Sequence, residues 1–176
     1  EDLIKFEIIE KETDLLIQAK SNLYDKAFAS TLKYRGDLER YICADPQFLK
    51  AFASYRVQYG APPIVKRMAA AARKAGVGPM AAVAGAIAEF VGRDLLAFSD
   101  ELIIENGSDL FLKISRPRKL NLSDKITLEI DPRLQPFSIC ISSGTTGASF
   151  SFGKADAVVI IADSALLADA ASTAIG

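Results

Sequence analysis

Residues 101–114 read Glu101-Leu-Ile-Ile-Glu-Asn106-Gly107-Ser-Asp-Leu-Phe-Leu-Lys-Ile114. Apolar runs on either side of Asn106-Gly107 predict two antiparallel strands, at 101–105 and 110–114, because Asn-Gly is the preferred pair of a two-residue type I′ turn. Downstream, 126–130, 137–141 and 157–161 are rich in β-branched and aromatic residues and read as further strands. Asp163-Ser164 then supplies capping side chains for a last helix, Ala165–Ile175. Upstream, Phe6, Ile8 and the run Thr13 to Ile17 read as a hairpin around the charged Glu10-Lys11-Glu12 turn.

Between these strand regions the pattern is helical. Residues 23–42 place Ala27, Leu32, Leu38, Tyr41 and Ile42 at gaps of three to six, and Asp45-Pro46 breaks the run before a short segment at 48–55. After Pro62-Pro63, residues 64–75 carry Ile64, Met68, Ala71 and Ala72 on one face, with Gly76 placed to end the helix. Pro79 opens a further helix at 79–91 whose surface is smooth, since Ala81, Ala82, Ala84, Gly85, Ala86 and Ala88 admit a neighbouring backbone or a ligand. Helices come mostly before strands, and hairpins replace βαβ alternation. The fold class expected is α+β, an antiparallel sheet packed with helices.

Composition narrows the functions. The 176 residues, half of them hydrophobic, are enough for one substantial core and a single domain over 1–176. With 21 basic and 22 acidic residues the net charge is −1, so no long-range field draws nucleic acid or an anionic membrane. No apolar run reaches the ~20 residues that span a bilayer, and the first residues lack a secretory pattern, which gives the expectation of a cytoplasmic protein. Cys43 and Cys140 are isolated, and histidine is absent. A structural zinc or a disulfide scaffold is therefore not expected, and the thiols read as buried. Any chemistry must run on carboxylates, hydroxyls, thiols, lysines or a bound metal.

Three local patterns suggest a site. The strand at 137–141 opens into Ser142-Ser143-Gly144-Thr145-Thr146-Gly147, where backbone N–H groups and the hydroxyls of Ser142, Ser143 and Thr145 can cradle a phosphate or carboxylate; an ordinary connecting loop has the same composition. Asp169 and Thr173, four apart on the last helix, share a face and can hold Mg²⁺, or else Asp169 faces solvent and Thr173 bonds back to a helical carbonyl. Asn106, Gly107 and Asp109 either edge a pocket or only make a turn. Gly78-Pro79-Met80 either offers N–H groups to a phosphate or reflects tight helix packing.

Taken in order, Val77-Gly78-Pro79-Met80-Ala-Ala-Val83-Ala84-Gly85-Ala-Ile-Ala-Glu89, Glu105-Asn-Gly-Ser-Asp109, Ser142-Ser-Gly-Thr-Thr-Gly147, Ser151-Phe-Gly-Lys-Ala-Asp156 and Ala168-Asp-Ala-Ala-Ser-Thr-Ala174 resemble an uncharacterised family related to ApbE. Thr13-Asp14-Leu15 and Arg40-Tyr41-Ile42 resemble its N-terminal half. ApbE proteins are Mg²⁺-dependent flavin transferases or FAD pyrophosphatases, once linked to thiamine biosynthesis, with an α+β fold of T-fold-like lobes. The resemblance implies FAD, FMN or a similar nucleotide or phosphate ligand in a pocket with Mg²⁺. It assigns metal ligands to Asp169, Thr173 and a backbone carbonyl at Val83 or Ala84. It lines the pocket with Asn106, Gly107, Asp109, Ser143 and Gly144.

The departures are Ala148, where relatives usually carry His, and Ser108, where they carry Gly; Ser108 costs on the order of 1 kcal/mol if its φ must be positive. The link from Ile114 through Leu122 is short for the family and the sequence stops at Gly176, so the expectation is that the full protein has segments beyond this sequence, an internal loop near 115–122 and a C-terminal tail. The expectation is ligand binding ahead of FAD pyrophosphatase or FMN transfer, with a non-enzymatic role in cofactor or sulfur metabolism as a further alternative. A homo-oligomer is left open.

Overall fold

The computed structural model describes residues 3–123, 126–132, 136–142 and 151–176. Strands β1 (Ile4–Glu10) and β2 (Thr13–Ala19) form the N-terminal hairpin, followed by α1 (Tyr24–Ala44), α2 (Pro46–Lys50), α3 (Pro63–Ala75) and α4 (Val83–Leu95). Then come β3 (Leu102–Asn106), β4 (Asp109–Lys113), β5 (Arg118–Ser123), β6 (Ile126–Ile130), β7 (Phe137–Ser142), β8 (Val158–Ala162) and α5 (Ala165–Ile175). The main sheet has six strands in the order β1-β2-β3-β4-β7-β8, each neighbour antiparallel, and β5-β6 form a separate two-stranded ribbon. The α+β antiparallel architecture is the one expected.

Both faces of the sheet centre are covered, which explains why β3, β4 and β7 run apolar instead of alternating. Leu102, Ile104 and Phe111 join Ile8, Leu15 and Ile17 in the cluster shared with the helices. Their neighbours Ile103, Leu110, Leu112 and Ile139 pack with Ile130, Leu120 and Leu128 on the opposite face, under the β5-β6 ribbon. The period of two therefore sends Asp109 and Cys140 to the helix face, in step with Phe111. The ribbon is tied down by buried Glu101, which accepts a 2.8 Å bond from the Ser115 N–H, the Ser115 hydroxyl and a 2.8 Å contact from Arg118.

Several local expectations change. The run at 79–91 is not one helix: Pro79–Ala82 is a 3-10 turn, and α4 starts at Val83. The link after Ile114 contains strand β5, and the segment at 48–55 is helical only to Lys50. Leu32 is exposed, while Ala27, Leu38 and Tyr41 of the same expected set are buried and Tyr34 joins them. In the β3-β4 hairpin Asn106 pairs with Asp109, leaving Gly107-Ser108 as the loop. Gly107 has φ 62° and Ser108 does not have positive φ, the pattern of a Gly-first type II′ turn; Ser108 thus carries no left-handed cost. Among the described residues no single helix is long and apolar enough to cross a membrane.

Candidate functional site

The site begins with a strand register. β4 and β7 pair Asp109 directly with Cys140, and residues opposite one another in an antiparallel ladder project to the same face. Helix α5 packs over that face and brings Asp169 down onto the pair. Ligand atoms of Asp109, Cys140 and Asp169 all lie within 4.8 Å of one another, and all three residues are buried. Asp109 Oδ1 has no hydrogen-bond partner although Asp109 is only 4 % exposed. Removing a carboxylate oxygen from water without replacing its hydrogen bonds is costly, so a lone one inside a fold calls for an explanation.

Asp169 is held by a reciprocal arrangement of two helices. Its Oδ2 accepts the Gly85 N–H at 2.9 Å, in the first turn of α4, where amide groups have no partner inside the helix. In return, Glu89 of α4 reaches the start of α5: its Oε2 accepts the Ala165 N–H at 2.7 Å and the Ser164 hydroxyl at 3.1 Å. The cap of α5 is thus Glu89 and not Ser164, whose own side chain makes no cap bond. Arg67 and Arg93 approach Glu89 Oε1 at 2.6 and 2.8 Å and balance its buried charge. The two helices touch closely because position 85 is glycine. A Cβ there would lie 2.2 Å from the Ala165 carbonyl oxygen and 3.0 Å from Asp169 Cβ.

These surroundings perturb all three groups. Burial pushes the Asp109 carboxyl up to about 7, with a hydrogen bond from Cys140 opposing the rise. Burial, then the Asp109 charge, holds Asp169 well above the ordinary carboxylate range, and the Gly85 and Ala84 amides pull against this. The Cys140 thiol is raised by burial and by both carboxylates. Two carboxylates this close cannot both ionise cheaply without a cation between them.

The cluster forms part of the wall of a cavity of about 290 Å³, which Thr173, Ser142, Ser108, Val83 and Ala84 also line. A second cavity of about 490 Å³ shares Leu49, Met80, Val83 and Ala84 with it and is lined further by Leu38, Ile42, Ile87 and Asn106. Its rim carries Lys11, Glu12, Arg35 and Glu39, joined by ion pairs of 2.7–3.0 Å. Both volumes are in or near the range of small-ligand sites, roughly 300–1,000 Å³.

Most of the expected site residues therefore converge. Asp109, Ser142, Asp169, Thr173, Val83 and Ala84 line the first cavity, and Asn106 lines the second. Asp169 is buried, not turned to solvent. The Ala84 carbonyl accepts the Asn106 side-chain amide at 3.0 Å, which fixes that carboxamide between β3 and α4. Gly107 serves the turn itself. The Thr173 carbonyl accepts the Phe152 N–H at 2.9 Å and the Ser151 hydroxyl at 3.1 Å, binding the segment before β8 to α5. Ser143, Gly144, Thr145 and Ala148 lie outside the described residues.

Two functional candidates escaped sequence reading. Cys140 looked like a core thiol, and only the register with Asp109 reveals its place; Cys43, expected to be buried, is exposed. Glu89 sat in an Ala-rich helix with no pattern marking its partner 76 residues away.

A family model described as "AbpE bacteria" matches residues 1–176. The chain is 44 % identical to UPF0280 protein MJ1526 of Methanocaldococcus jannaschii, over 97 % of this chain and 73 % of the relative. It is 42 % identical to UPF0280 protein MK0206 of Methanopyrus kandleri, over 96 % and 71 %. Among solved structures, a mutant of the flavin transferase ApbE from Vibrio cholerae superposes with a TM-score of 0.63 at 9 % identity, covering 98 % of this chain and 86 % of that one. The flavinyl transferase ApbE of Pseudomonas stutzeri, apo form, gives 0.57 at 12 %, covering 98 % and 85 %. At such identities the likeness is one of fold.

Proposed function

We propose that this chain, which belongs to the ApbE-related family described as "AbpE bacteria", binds a phosphate-bearing nucleotide, a flavin nucleotide first among them, together with a divalent cation held at Asp109 and Asp169. The observation that carries the reading is Asp109 Oδ1, buried without a partner beside a second buried carboxylate on a cavity wall. Helix capping accounts for one oxygen of Asp169, through Gly85, and leaves Asp109 unexplained. A cation accounts for both, since it neutralises the pair and gives the orphaned oxygen a ligand.

In this reading Asp109 and Asp169 hold the ion, Mg²⁺ in the ApbE pattern, and Thr173 completes the cavity wall one helical turn from Asp169. A divalent cation bound there polarises the oxygens of a neighbouring phosphate. The second cavity, floored by Leu38, Ile42, Met80 and Ile87, takes the apolar ring of the ligand. Arg35 and Lys11 line this cavity as well, paired with Glu12 and Glu39. Ser142 and the Ser143-Gly144-Thr145 sequence after it supply hydroxyl and amide donors.

Titration of FAD, FMN and ADP into chelator-treated protein, with and without Mg²⁺ or Mn²⁺, tests this. Saturable binding that needs the cation and is lost in Asp169→Asn is expected. Absence of binding by all three ligands under every cation condition contradicts it. FMN released from FAD in the same mixtures would add pyrophosphatase or transferase chemistry.

A further inference from the structure

We infer that Cys140 is the third protein donor to the cation held by Asp109 and Asp169, making a mixed oxygen–thiolate site that selects a thiophilic divalent metal such as Zn²⁺ or Co²⁺ over Mg²⁺. The inference rests on the cation site proposed above and specifies its chemistry.

The geometry comes from three rigid elements. Asp109 and Cys140 are cross-strand partners on β4 and β7, so their spacing is fixed by the backbone ladder, and α5 sets Asp169 over them. Asp169 Oδ2 accepts the Gly85 amide, which aims that carboxylate at the pair, and Asp109 Oδ1 has no hydrogen-bond partner. A tetrahedral ion with a metal–sulfur distance of about 2.3 Å and metal–oxygen distances of about 2.1 Å holds its donors roughly 3.5 Å apart. The observed separations are all within 4.8 Å, near that spacing before any ion draws the donors in.

Three protein donors facing a cavity leave one position open, the arrangement of metal sites that bind or activate a ligand and not of closed structural sites. Sequence spacing argued against zinc because it tests for closed Cys and His clusters. Here the donors come from three separate elements and include no histidine. The hard ion Mg²⁺ takes oxygen donors and gains little from sulfur, whereas a thiolate favours borderline-soft ions.

One neighbour can support a metal-bound sulfur. Ser172 Oγ lies 2.9 Å from Cys140 Sγ and also donates to the Asp169 carbonyl at 2.9 Å. When the metal takes the place of the thiol proton, that proton leaves to solvent and the metal gives up one water. The Ser172 hydroxyl is then free to turn its hydrogen toward sulfur, an outer contact that orients the ligand.

The test uses the full chain, stripped of metal with a chelator and titrated with Co²⁺ while near-ultraviolet absorption and calorimetric heat are recorded. A thiolate-to-cobalt charge-transfer band that saturates at one ion per chain is expected. It should persist in Cys43→Ser, which removes the exposed thiol, and vanish in Cys140→Ser. Zn²⁺ should displace the Co²⁺, and a hundredfold larger amount of Mg²⁺ should not.

Stoichiometric Co²⁺ binding without the band in the parent protein overturns the thiol inference and leaves the carboxylate site standing. Binding of Mg²⁺ in preference to Co²⁺ overturns it likewise. Binding of neither metal removes the cation reading itself. The parent spectrum decides the matter even if Cys140→Ser folds poorly.

Discussion

Gly85→Ala probes the contact on which the site geometry depends. The added methyl would sit 2.2 Å from the Ala165 carbonyl oxygen and 3.0 Å from Asp169 Cβ, so α4 and α5 must separate by about 1 Å to reach ordinary contact. That overpacking costs about 1–3 kcal/mol. The same movement stretches the 2.9 Å bond from the Gly85 amide to Asp169, and leaving that buried amide unsatisfied costs about 1–3 kcal/mol. Against these stands the gain of about 1 kcal/mol for alanine over glycine inside a helix.

The net expectation for Gly85→Ala is a loss of about 2–4 kcal/mol, or roughly 5–15 °C in Tm for a chain of this size. Urea denaturation followed by far-ultraviolet circular dichroism measures it, the chain having no tryptophan to report by fluorescence. Cation binding should weaken in parallel, because Asp169 moves with α5. A variant more stable than the parent by about 1 kcal/mol, with binding intact, would show that helix propensity acts unopposed and refute the close-packing reasoning.

The other predictions concern buried charge. The Asp109 carboxyl, held up to about 7 by burial against an unfolded value of 3.8, gives the metal-free protein a contribution to stability that is fully present below pH 4. That stability is lost as pH rises toward 7, by about 4 kcal/mol in all, and Asp109→Asn should flatten the profile of urea midpoints in chelator. Glu101 has the opposite sign. Burial raises its pKa, but hydrogen bonds from Ser115 and Arg118 outweigh this and hold it at about 2, against 4.5 unfolded. It contributes about 3 kcal/mol above pH 4.5, lost as pH falls through 2, and acid melts of Glu101→Gln should lack that dependence.

Glu89→Ala strips the cap from α5 and leaves the buried Ala165 amide unsatisfied, while water solvates the half-exposed Arg67 and Arg93; a loss of about 1–3 kcal/mol is expected, with faster amide exchange in the first turn of α5. Unchanged exchange at Ala165 and its neighbours would contradict the capping role.

What the sequence shows of this fold follows the range of the interactions that make it. The β3-β4 hairpin, the Gly76 helix end with φ 75° and the Pro63 start of α3 are set by residues close in the chain, and composition exposes them. Strand β5 does not show itself, because Arg118-Lys119-Leu120-Asn121 has neither strong alternation nor apolar content; it is fixed by its pairing with β6 and by Glu101. The 3-10 turn at Pro79–Ala82 is likewise hidden inside a helix-forming composition.

The site divides the same way. Asp169 and Thr173 share a helix, so their common face can be read from spacing, and the ApbE resemblance points to Asp109. That Asp109 meets Asp169 and that Cys140 joins them depends on strand register and on α5 docking over β7, contacts across 29 to 60 residues of chain that no local pattern encodes.

The most direct test of the site is a count of bound manganese. Chelator-treated protein is titrated with Mn²⁺ at pH 7.5 and the free ion is measured by electron paramagnetic resonance, for the parent and for Asp169→Asn shown by circular dichroism to be folded. One tight Mn²⁺ per chain in the parent, and none in the variant, is the predicted result. Free Mn²⁺ that rises in step with the total from the first addition, or an equal bound count in both proteins, would contradict a cation site at Asp109 and Asp169.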